Sequence, residues 1–203
     1  MVTARPPWPL RALMPGALWR MPARDRVLYL TFDDGPDPQL TPWVLDELAA
    51  VDARATFFCR GDRATAHPDL VERMRAAGHA VGGHTWDHPD GWRTPRRAFL
   101  RNVLRGQRVV GGTLFRPPYG RLTPAQLVAL GRRLRVVMWD VLSRDYDIRC
   151  TAQQCLDRTL RLARPGSIVV FHDAPKAADR LRVVLPEALK HWRDAGYRFA
   201  SLA

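Results

Sequence analysis

Short apolar runs alternate with segments of helical period along most of the chain. RVLYLTF (26–32), ATFFC (55–59), HAVGG (79–83), TLFR (113–116), RVVMW (135–139), SIVVF (167–171) and YRFASL (197–202) predict strands. They are brief, bounded by turn formers, and most are rich in β-branched and aromatic residues. Between them Val44, Leu45, Leu48 and Val51 fall on one helical face. Leu70, Val71 and Met74 do the same, as do Leu100, Val103, Leu104 and Val110. Further helices are predicted over about 124–132, 152–163 and 180–195. Gly78, Gly166 and Gly196 stand where helices stop, and HPDL and RTPRRAF read as helix starts with Pro near the first turn. The chain shows no internal repeat, low-complexity tract or linker.

Alternation of strands and helices argues for a parallel sheet, and strands apolar on both faces are what such a sheet buries. An open doubly wound sheet and a closed barrel share this pattern. The polar clusters separate them. Asp33 and Asp34 follow the first strand, His84 and His88 the third, RPPYG (116–120) the fourth, Asp140 and Asp145 the fifth, and His172 and Asp173 the sixth. A barrel gathers all these C-terminal strand ends on one face, whereas an open sheet would hold the first and sixth strands apart. The expected fold is an α/β barrel.

Residues 1–25 precede the first predicted strand and are read as an N-terminal arm on a single domain, 26–203. Arg11, Pro15 and Gly16 break the arm's apolar patch, so it makes a poor signal-peptide core, and Trp8, Leu10, Leu13 and Trp19 are expected to cover apolar barrel surface. Without a convincing signal peptide, the expected location is cytoplasmic or loosely envelope-associated. No apolar stretch approaches the roughly 20 residues needed to cross a bilayer. Weak contact with a membrane surface stays open.

The formal net charge is +12, almost wholly from arginine, since Lys176 and Lys190 are the only lysines. Most of it reads as charge spread over solvated helix faces. No nucleic-acid motif is present and no nucleic-acid partner is expected. Cys59, Cys150 and Cys155 make an odd count without paired metal spacing, which favours reduced thiols over a Cys150–Cys155 bridge.

The candidate chemistry centres on HTWDH (84–88), whose two imidazoles at i and i+4 would share one face of a helical turn. His67, His79 and His191 lack such a setting and read as structural or solvated. Two histidines and a carboxylate from another strand end make a three-ligand metal site with open positions, as in catalytic zinc hydrolases. In TFDDGP (31–36), one aspartate can serve as that ligand while its neighbour, aimed differently, takes a proton from the attacking water. His172 is the candidate general acid, and Arg116 can hold the base carboxylate charged and oriented.

TFDDGP, HTWDH, RPPYG, WDVLSRDY and IVVFHD, in that order, resemble the motifs of the polysaccharide deacetylase family, carbohydrate esterase family 4, also called the NodB-homology domain. The resemblance runs from about Val27 to Phe199. It implies a distorted (β/α)7–8 barrel and metal-dependent removal of acetyl groups from an N-acetylated glycan or oligosaccharide, peptidoglycan- or chitin-like. It implies Asp33 as base and Asp34, His84 and His88 as ligands of one divalent ion, zinc by expectation, with cobalt or nickel compatible. It further implies Arg116 paired with Asp33, Asp145 orienting the acid His172, and the Tyr119 backbone N–H donating to the oxyanion, since Pro117 and Pro118 have none. Val170, Tyr146, Pro117 and Pro118 would shape the acetyl pocket. The chain departs from the family at Tyr146, where Trp is usual. Competing readings are an amidohydrolase of a small non-sugar amide on the same site and a non-catalytic binder of an anionic polymer or membrane surface. Oligomeric state is not legible.

Overall fold

The computed structural model describes residues 4–23 and 25–202. The apolar runs become β1 (Val27–Asp33), β2 (Thr56–Cys59), β3 (Ala80–Gly83), β4 (Leu114–Phe115), β5 (Arg135–Val136), β6 (Val141–Leu142), β7 (Ile168–His172) and β8 (Arg198–Phe199). All pairings between these strands are parallel, in the order β5-β4-β3-β2-β1-β7-β6, with β8 also on β1. Every residue of β2 and β7 is buried, as strands covered on both faces require. The first and sixth predicted strands are neighbours, as the barrel reading demands.

The predicted strand 135–139 shortens to β5, and a further strand not predicted, β6, follows it; the two lie at opposite ends of the sheet order. Residues 137–140 span the gap between them, and the N-terminal arm fills it. Leu18 pairs in parallel with Val137, and Arg20 pairs antiparallel with Ser167. The Leu18 N–H donates to the Val136 carbonyl at 2.8 Å, and the Met21 N–H to the Gly166 carbonyl at 2.9 Å. The result is a curled, incompletely closed barrel with arm residues in its wall.

The added strand corrects the expected place of Asp140. Because β6 runs parallel to β7, the residue before it lies at the opposite end from the site: the Asp140 N–H bonds the carbonyl of Ile168, at the start of β7. Wholly buried, Asp140 accepts from Arg11 Nη2 and Ser167 Oγ, both at 2.7 Å, and tethers the arm. Burial would raise its pKa, but these hydrogen bonds and the nearby Arg5 and Arg164 hold it below the usual carboxylate value. The arm's expected cover is also corrected. Met14 and Trp19 are buried, whereas Trp8 and Leu13 are 78% and 71% exposed; the Leu10 side chain lies outside the described residues.

The helices are α1 (Trp8–Ala12), α2 (Leu40–Ala49), α3 (Gly61–Ala66), α4 (Pro68–Ala76), α5 (Arg96–Val110), α6 (Pro124–Gly131), α7 (Ala152–Leu162) and α8 (Ala178–Asp194). Thr123 with Gln126 and Thr151 with Gln154 form reciprocal capping boxes that start α6 and α7. The buried face of α5 is Phe99, Val103, Gly106 and Val110, so the predicted Leu104 is turned outward. Gly106 is there because a Cβ would meet the Thr85 carbonyl oxygen at 2.4 Å, which lets α5 press against the loop after β3. All three cysteines are free thiols.

Candidate active site

Parallel register sets Asp33, the last residue of β1, directly beside His172, the last of β7. Asp33 meets Arg116, which follows β4 and is wholly buried. Arg116 Nη1 donates to Asp33 Oδ1 at 2.8 Å and to Thr31 Oγ1 at 2.6 Å, and Nη2 to the Met138 carbonyl at 2.8 Å. The guanidinium also lies 4.2 Å from the Phe58 ring centroid. Burial lowers the Arg116 pKa and Asp33 opposes that, so the group stays a cation.

The chain then leaves the extended region. Asp34 has φ +78°, so its carboxylate is aimed away from that of Asp33. Thr85, His88, Tyr119 and Arg144 also have positive φ, at +68°, +68°, +58° and +65°. Such backbone is costly for residues with a Cβ and concentrates where function requires it. It corrects the HTWDH reading: residues 84–88 form an irregular loop, not a helical turn, and the loop's two left-handed residues bring the imidazoles to 5.0 Å between ring centroids.

Asp34 Oδ1 lies 3.1 Å from His88 Nε2 and 3.6 Å from His84 Nε2. It is buried without a well-formed hydrogen bond, and one ligand atom from each of these residues falls within 4.8 Å of the others. A buried anionic oxygen facing two imidazole nitrogens fits a divalent cation. His84 Nδ1 sits 2.8 Å from the Arg116 carbonyl. A carbonyl can only accept, so Nδ1 carries the proton and Nε2 offers its lone pair to the site. Burial lowers the His84 pKa to about 4, keeping it neutral. Burial would raise Asp34, but the close His88 and the nearby His172 and His84 imidazoles hold it well below the usual carboxylate value.

Asp145 grips His172 twice: Oδ1 accepts from Nδ1 at 2.7 Å and Oδ2 from the backbone N–H at 2.8 Å. This leaves Nε2 for the cavity. Burial disfavours the imidazolium, yet Asp145, and beyond it Asp34 and Asp33, raise the His172 pKa above its ordinary value. The neighbouring Asp173 turns elsewhere, accepting from Thr41 Oγ1 at 2.5 Å and the Gly35 N–H at 3.1 Å. Gly35 is required, because a Cβ would stand 2.0 Å from Asp173 Oδ2.

These groups open on a cavity lined in part by Asp33, Asp34, His84, His88 and His172. Of the expected pocket residues, Pro117, Tyr146 and Val170 line it, and Tyr119 does too; Pro118 is buried and does not. Arg116 and Asp145 act from behind it, through Asp33 and His172. Outside the cluster, His79 is structural as expected, its Nδ1 accepting the Ala55 N–H at 3.1 Å. Trp139, Leu142, Gly120 and Lys176 also line the cavity and were not anticipated. Lys176 Nζ lies 2.6 Å from Asp34 Oδ2, which leaves Oδ1 as the oxygen turned to the imidazoles.

Comparisons with known proteins agree with this geometry. A family profile described as polysaccharide deacetylase matches residues 20–138. Peptidoglycan-N-acetylglucosamine deacetylase PgdA of Listeria monocytogenes is 34% identical over 179 residues, 85% of this chain and 37% of that protein. The chain therefore spans little more than a third of that relative's length. A chitooligosaccharide deacetylase of Sinorhizobium fredii is 40% identical over 154 residues, covering 72% of this chain and 71% of the relative. Among solved structures, the Bc1960 peptidoglycan N-acetylglucosamine deacetylase superposes with a TM-score of 0.87 at 27% identity, covering 92% of this chain and 91% of the other.

Proposed function

This chain belongs to the polysaccharide deacetylase family, and we propose that it hydrolyses acetamido groups on an N-acetylated glycan of the peptidoglycan or chitin type. The observation that carries the reading is the unsatisfied Asp34 Oδ1 facing two imidazoles, with an Asp33–Arg116 pair and an Asp145–His172 pair beside it. Asp34, His84 and His88 would hold one divalent ion, zinc by its preference for imidazole and carboxylate donors. When bound, the ion supplies Lewis-acid polarisation of the acyl carbonyl and acidifies a water.

The remaining chemistry belongs to the chain's own residues. Asp33, aimed by Arg116, accepts the proton of the attacking water. The Tyr119 N–H donates to the oxygen on which negative charge develops. His172, its Nδ1–H held by Asp145, protonates the departing amine from Nε2 as the imidazolium. Tyr146 and Val170, which line the cavity, bound the space for the acetyl methyl group.

The test is acetate release from chitooligosaccharides and peptidoglycan fragments after loading with Zn²⁺, alongside metal analysis of the wild type, His84→Ala and His88→Ala. Stoichiometric metal and acetate release are expected in the wild type, with both lost in the variants. Equal metal content in all three would sink the ligand assignment.

Asp145→Asn checks the acid. A general acid must be protonated, so kcat/KM falls as pH rises through the His172 pKa. Removing the Asp145 charge removes the main influence raising that pKa, so the alkaline limb should move to lower pH. Linkage has the same sign. A histidine with a raised folded pKa stabilises below its unfolded value near 6.5 and loses that contribution as pH rises through the folded one. An unmoved alkaline limb in Asp145→Asn would remove His172 from the acid role.

A further inference from the structure

Between Asp90 and Asp140 the chain carries eleven arginines and no acidic residue. This stretch contains α5 and α6, which lie side by side and enclose an apolar groove. Leu100, Ala125, Val128 and Ala129 line the groove, with Arg96, Arg97 and Arg132 at its rim. Arg101, Arg108 and Arg133 are also exposed on these helices or just beyond them. Among the described residues none of these six arginines forms an ion pair with a carboxylate. Val128 and Leu104 are 64% and 37% exposed on the same pair of helices. The feature is thus a cationic rim around apolar side chains, in a protein whose other arginines largely find partners.

We propose that the α5–α6 face docks this protein on an anionic phospholipid bilayer. The arginines would meet headgroup phosphates, and Val128 and Leu104 would reach the acyl boundary, with the long arginine stems lying along the apolar floor. Charge complementarity names the anionic partner, and the apolar floor selects lipid among anions. A nucleic acid would leave Leu100, Val128 and Ala129 against a hydrated backbone, and no aromatic side chain lines the groove to stack a base. Both helices start from loops that carry site residues, so docking would hold the cavity near the bilayer surface. The inference does not depend on the hydrolytic reading.

The test is vesicle co-sedimentation of the whole chain, with phosphatidylcholine alone and with phosphatidylcholine mixed with phosphatidylglycerol, at low and high salt. Binding is expected to the mixed vesicles only, weakening as salt rises. The combined variant Arg96→Gln, Arg97→Gln, Arg101→Gln, Arg132→Gln should bind about a hundredfold more weakly or worse, at about fivefold per arginine. Leu104→Ser with Val128→Ser should weaken vesicle binding about fivefold or more without changing charge. Both variants should keep the wild-type melting temperature and activity on soluble oligosaccharide. Failure to bind phosphatidylglycerol vesicles overturns the proposal, as does undiminished binding by the arginine variant. So does a duplex oligonucleotide bound as tightly as vesicles with the serine variant unaffected, which would make the face a general polyanion site.

Discussion

Replacing Asp33 with asparagine should lower kcat/KM by about 10²–10⁴-fold, the usual contribution of a positioned base, with metal content unchanged. Asparagine keeps the size of the side chain and can still accept from Arg116 Nη1, which lies 2.8 Å from Asp33 Oδ1. It cannot take a proton. The separation of rate from metal content follows from the turn between the two aspartates. Asp33 ends a strand and faces the arginine, while left-handed Asp34 faces the imidazoles. An N-acetylated oligosaccharide and an activated acetyl ester should suffer alike, because both need the water deprotonated. Rates must be compared at matched metal occupancy and folded fraction, since the variant leaves a buried guanidinium uncompensated. Near-wild-type turnover would move the base elsewhere. A parallel loss of metal would make Asp33 a ligand and undo the division of labour.

Much of this site was legible before the fold. The carboxylates, histidines and arginine fall just after apolar runs, and a parallel barrel collects such positions on one face. Where the reading failed, the cause was local. RVVMWDVLS looks like one strand with polar residues after it, because Asp140 is as polar as Asp145. Only the pairing of Val141 and Leu142 with β7 reveals a second strand beginning after Asp140. The histidine pair was found by its spacing but given the wrong conformation, since nothing in Thr85 or His88 announces positive φ as a glycine would. Lys176 escaped notice because its contact with Asp34 depends on how the chain turns after β7. The acid-free run from Gly91 to Trp139 was visible, but the whole-chain charge averages it away. Only the packing of α5 on α6 gathers it into one face.

Arg116→Met should be the most damaging single substitution away from the metal ligands. Methionine roughly fills the space over Phe58 and removes only the fork. The Asp33 carboxylate, 5% exposed, would lose its buried countercharge, and the Thr31 hydroxyl and Met138 carbonyl would lose their donors. Breaking a buried ion pair from one side costs about 3–5 kcal/mol. At about 2–4 °C per kcal/mol for a domain of this size, Tm should fall by about 6–20 °C. Activity of the remaining folded enzyme should fall as well, since the base carboxylate loses the donor that aims it. Arg116→Lys should rescue little. An ammonium can replace one or two of these contacts, but not the planar fork that joins β1 to the 137–138 segment. The decisive comparison is a double-mutant cycle with Asp33→Asn, read by Tm. If Arg116 chiefly compensates Asp33, the double variant should be markedly more stable than the sum of the single losses predicts. Strict additivity, or an Arg116→Met protein melting like the wild type, would mean that the guanidinium serves the backbone carbonyls and not the base.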